Sequence, residues 1–71
     1  MELRKINIGN RIGIMYLSGI DLYKIKLSNQ EVLQGYIEDT DNPSIKEFLT
    51  MEGEQFRITL FEKFNVSQIS F

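Results

Sequence analysis

The side chains that most often carry chemistry are missing here: the 71-residue chain has no Cys and no His. Without a thiol or an imidazole it lacks the usual nucleophile and base, and any thiolate or imidazole metal site. What remains is a group of carboxylates, Glu38, Asp39 and Asp41, in the stretch EDTDNPS. A calcium loop begun at Asp39 would need Gly at its sixth position and Glu at its twelfth, where Ser44 and Thr50 stand. The acids also show no partner for general acid–base work, so neither an enzyme nor a metal or other cofactor is expected. A polar turn around Pro43, the one proline, accounts for them.

Two other patterns invite a functional reading. Gly9 and Gly13 are spaced loosely like a phosphate loop, but no Lys-Ser/Thr pair and no helical pattern follows. Gly9-Asn10 suits a two-residue hairpin turn instead. Lys24 and Lys26 alternate with Tyr23, Ile25 and Leu27. Lys24 and Lys26 are either a functional basic stripe or the solvated face of a half-buried strand, and the clean alternation favours the second.

The elements that must position these groups are strands. Residues 25–42 are the organising stretch, a hairpin and the polar loop after it: its first strand begins upstream, over 22–28, a turn follows at Asn29-Gln30, and the return runs over 32–38 with Leu33, Gly35 and Ile37 inward. Gly35 within a strand marks a sharp bend or a close backbone approach. Residues 45–51 and 55–62 read as a long hairpin around Glu52-Gly53-Glu54, with Phe56, Ile58 and Leu60 alternating against Arg57 and Thr59. Lys63-Phe64-Asn65 reads as a short connection and 66–71 as a last strand. Two glycines in residues 3–17 disfavour a helix there, and no segment has a convincing 3.6-residue period.

The chain is one domain over residues 1–71, with 1–20 as an N-terminal hairpin or extension and 21–71 as the barrel. A core this small supplies only about 3–5 kcal/mol, so with disulfides and His/Cys metal sites excluded, self-association is the expected staple. A strand ending the chain on Phe71 is expected to pair with something. The formal charge of −2 argues against a general nucleic-acid coat but leaves room for a local basic site. No signal-like or membrane-spanning apolar run is present, so a cytoplasmic location without membrane contact is expected.

The hairpin resembles the first motif of the Sm/Lsm family, most closely its bacterial Hfq-type branch. Asn29, Leu33, Gly35, Ile37 and Asp41 stand at the family spacing, followed by Asn42. Lys63-Phe64-Asn65-Val66-Ser67 is similar to the second bacterial motif, Lys-His-Ala-Ile-Ser. Gln30 stands where the family has its turn Gly, and Phe64 where the bacterial form has His. The resemblance implies a bent, five-stranded SH3-like or Sm-like barrel. It also implies a homo-oligomeric ring, expected to be a hexamer, closed by pairing the fourth strand of one subunit with the fifth of the next.

It further implies that the loop carrying Asp41 and Asn42 meets the one carrying Lys63 and Phe64. Asn42 would take a base edge, Lys63 a phosphate, and Phe64 a stacking face. The expected function is then binding of RNA or small nucleotides in pockets repeated around the ring, including nucleotide sequestration by a phage or mobile-element protein. The alternative is an SH3-like module that docks or inhibits a partner protein, with Tyr16, Tyr23 and Tyr36 supplying its aromatic surface.

Overall fold

The computed structural model describes residues 2–65. It contains six strands: β1 (Glu2–Ile8), β2 (Arg11–Leu17), β3 (Tyr23–Leu27), β4 (Val32–Asp39), β5 (Ile45–Thr50) and β6 (Gln55–Asn65). Each strand runs antiparallel to the next, and β6 pairs back onto β1 to close a barrel. The all-β small barrel expected from the alternation is what forms. No helix among the described residues is long and apolar enough to cross a membrane.

Two expectations need correction. The N-terminal hairpin is not an addition to a five-stranded barrel; β1 and β2 are two of its six staves. They belong because Leu3, Ile6 and Ile8 on β1 and Met15 on β2 are all buried, which a detached hairpin could not achieve. Nor is Lys63-Phe64-Asn65 a connection, since these residues pair in order with Arg4, Leu3 and Glu2. A bulge hides this in the sequence. The β1–β6 register shifts between Arg4 and Ile6, so that Phe61 and Glu62 together face Lys5. Arg4 Nη1 donates to the Phe61 carbonyl at 2.7 Å and pins the bulge. The proposed strand over 66–71 lies outside the described residues.

The core is made of the inward residues Ile6, Ile8, Met15, Ile25, Leu27, Phe48 and Ile58, with Tyr23, Leu33, Ile37, Phe56 and Leu60 packed against them. At Gly35 the backbones of β4 and β5 come too close together for a side chain. Gly35 sits opposite Thr50 in the β4–β5 register, and a Cβ there would run into the Leu49 carbonyl oxygen and stand 2.8 Å from Thr50 Cα. Along the barrel both neighbours of each described strand come from the same chain.

Three of the hairpins share one turn geometry. Ser18, Leu27 and Thr50 each donate a backbone N–H to the carbonyl four residues on, at 2.8 Å in each case. The residue just before each acceptor has a left-handed backbone: Asp21 (φ 57), Gln30 (φ 73) and Gly53 (φ 91). Gly adopts this conformation freely and Asp tolerates it, but an ordinary side chain such as Gln is penalised. The positive φ that a turn Gly would supply freely is therefore kept here by Gln30, under strain. Gln30→Gly is expected to stabilise the barrel by about 1 kcal/mol, a rise of ~4–8 °C in Tm for a domain this size. A thermal melt followed by circular dichroism checks it, and an unchanged or lower Tm counts against a strained turn.

Candidate functional site: the charged mouth of the barrel

At one end of the barrel the start of β1, the end of β2, the start of β3, the end of β4, the start of β5 and the far part of β6 converge. They enclose an open cavity of about 490 Å³. Its floor is apolar, formed by Leu3, Met15, Ile37 and Leu60. Tyr16 and Tyr23 stand in its wall, and the charged residues are Glu2, Arg4, Asp39, Lys46 and Lys63. Three cations against two carboxylates leave one positive charge in surplus at this mouth, in a chain whose formal charge is −2.

The strand phase explains why charges sit here. In β4 the inward phase runs Leu33, Gly35, Ile37, Asp39; in β5 it runs Thr50, Phe48, Lys46 toward the same end. The last inward position of each strand is past the core, so a charged side chain there meets water at the opening. Asp39 and Lys46 are register partners, and Lys46 Nζ lies 2.8 Å from Asp39 Oδ1. Lys63 is held more loosely, with its Nζ 3.9 Å from Glu2 Oε1 and its side chain 54% exposed. A long, exposed pair of this kind contributes little. Lys63 is therefore the mouth cation most readily turned toward an incoming anion.

The residues implied by the family resemblance divide. Lys63 lines the mouth. Asp41 and Asn42 lie in the β4–β5 loop at the same end of the barrel, but the cavity is lined by their neighbours Asp39 and Lys46 instead. Asn42 is occupied with the loop itself: its Oδ1 accepts the Ser44 N–H at 2.9 Å, and its own N–H donates to Thr40 Oγ1 at 3.2 Å. Thr40 Oγ1 in turn donates to the Ile45 carbonyl at 2.6 Å. Asp41 is exposed. Phe64 pairs with Leu3 in the backbone register, and its side chain lies outside the described part. Of the three carboxylates of residues 38–41, Glu38 and Asp39 end β4 and Asp41 lies in the loop after it; no group of His, Cys, Asp or Glu among the described residues is placed to hold a metal ion.

Arg4, Asp39, Lys46 and the tyrosine pair were not singled out from the sequence as a joint site. A usable signal existed for two of them. A charged residue in the inward phase at the end of a strand, as at Asp39 and Lys46, marks the open end of a barrel. Comparisons with protein-family models, with curated proteins and with solved structures give no match.

Proposed function

We propose that this barrel is a binding module that takes a nucleotide, free or at the end of an RNA chain, into its charged mouth. The observation that carries this reading is the combination in one concavity of cations (Arg4, Lys46, Lys63), two tyrosines and an apolar floor. A phosphate needs the first, and a base can stack on the second. The floor is the core itself, so the mouth is a blind pit and suits a single nucleotide better than a strand passing through. The absence of Cys and His from the sequence fits binding rather than turnover.

Titration of the purified protein with mononucleotides, at two salt concentrations, tests the reading. Lys63→Ala is expected to weaken binding and to flatten its salt dependence, because one phosphate contact is lost. Asn42→Ala, which alters only the β4–β5 loop, should leave affinity unchanged. Wild-type protein that binds no nucleotide, or a Lys63→Ala variant that binds as wild type does, removes the mouth as a nucleotide site.

A protein-docking module is the second reading, and one observation favours it. Ile20, in the β2–β3 loop beside the mouth, is 94% exposed, and Leu17 next to that loop is 52% exposed. Apolar groups so placed are typical of protein contact surfaces.

A further inference from the structure

We infer that the ligand is a single-stranded nucleic acid rather than a free nucleotide, and that its chain continues from the mouth along the outer face of β2 and β3. This rests on the mouth being a nucleotide site. Three observations carry it. Tyr16, which stands in the wall of the mouth, faces Lys24 directly across the β2–β3 register. The next outward pair down the same two strands is Ile14 with Lys26. Those two residues line a second depression of about 420 Å³, which also includes Ser28 and Gln30. Two concavities thus lie at opposite ends of one pair of strands, with Lys24 between them. The seven residues of β2 span roughly 20 Å at about 3.3 Å each.

The charge along this path suits phosphates. The outward positions of β2 and β3 are Ile12, Ile14, Tyr16, Lys24 and Lys26, with no carboxylate among them. Lys24 makes no ion pair among the described residues, whereas the mouth's Lys46 and Lys63 each face an acid. A tyrosine stands on each of the two strands beside it. Tyr16 is directly opposite, and Tyr36, 46% exposed, is two positions beyond Gln34, the register partner of Lys24 on β4. A cation between aromatic rings is how single strands are held without reading their sequence, by phosphate attraction and base stacking together. An acidic peptide would satisfy the lysines but would leave the tyrosine faces without bases to stack on.

Fluorescence anisotropy with a labelled oligouridylate hexamer, set beside titration with uridine monophosphate, tests the path. The hexamer is expected to bind at least about tenfold tighter than the monophosphate, because it gains phosphate and stacking contacts beyond the mouth. Lys24→Glu should weaken the hexamer about tenfold and leave the monophosphate unchanged, whereas Lys63→Ala weakens both. Lys24→Gln serves in the same way if the charge reversal unfolds the barrel. If Lys24 variants bind the hexamer as wild type does while Lys63→Ala still weakens both ligands, the path is overturned and the mouth stands. If neither ligand binds wild type, both readings fall. Tighter binding of an oligoglutamate peptide than of the hexamer also overturns the inference.

Discussion

Gly35→Ala is expected to remove most of the protein's stability. The added methyl has nowhere to go: it would collide with the Leu49 carbonyl oxygen and lie 2.7 Å from the Leu49 carbonyl carbon, both of them backbone. A flexible side chain can swing aside, but a strand paired on both edges cannot. Relief would require opening the β4–β5 ladder, so the loss should reach the upper end of the overpacking range, about 3 kcal/mol. Against about 3–5 kcal/mol of total stability for a core this small, that is most of what holds the fold. Gly13→Ala is the control. The closest atoms a Cβ there would meet are on side chains that can yield, Ile25 Cγ2 at 2.9 Å and Leu27 Cδ2 at 3.0 Å, with the Lys26 carbonyl oxygen farther off at 3.2 Å. It should cost only about 1 kcal/mol. Urea denaturation of the two variants decides the matter, and equal losses would mean that β5 can move away from Gly35.

Phe48→Ala should be comparably severe for the opposite reason. Phe48 is wholly buried, and its register partners are Ile37 on β4 and Phe56 on β6, both packed against the core. Removing the ring leaves a cavity lined by staves that cannot close in without breaking their ladders. The expected loss is about 3–5 kcal/mol, and Phe48→Leu, which refills much of the volume, should recover most of it. The readout is the denaturation midpoint together with near-ultraviolet circular dichroism. A Phe48→Ala protein with a wild-type midpoint would show that the barrel is not centred on this ring.

Much of the barrel could be seen in the sequence because strands write their burial in alternation. Tyr23, Ile25 and Leu27 against Lys24 and Lys26, and Phe56, Ile58 and Leu60 against Arg57 and Thr59, lie on the sides their pattern indicates. The turns at Gly9-Asn10, Asn29-Gln30 and Glu52-Gly53 were equally legible, since each needs residues that bend. Closure was not. Alternation tells a strand which side faces in, but not which strand lies beside it. The bulge at Phe61-Glu62 then put β6 out of phase, so Lys63 and its neighbours looked like a loop and β1 showed no partner beyond its own hairpin. The mouth was lost with it. Arg4, Tyr16, Asp39, Lys46 and Lys63 come from five strands and become neighbours only once the sixth stave is set against the first.

The way the barrel closes also shapes how it must assemble. Five of its six ladders join strands adjacent in sequence, and each can form as a local hairpin across a short turn. The sixth joins opposite ends of the described chain, Ile6 with Leu60. Bringing such distant segments together costs roughly 2 kcal/mol more chain entropy than closing a hairpin of a few residues. Folding is then a zipper with one late clasp: the meander gathers from near neighbours, and the ladder between β1 and β6 pays its long loop only when the other five are there to be enclosed.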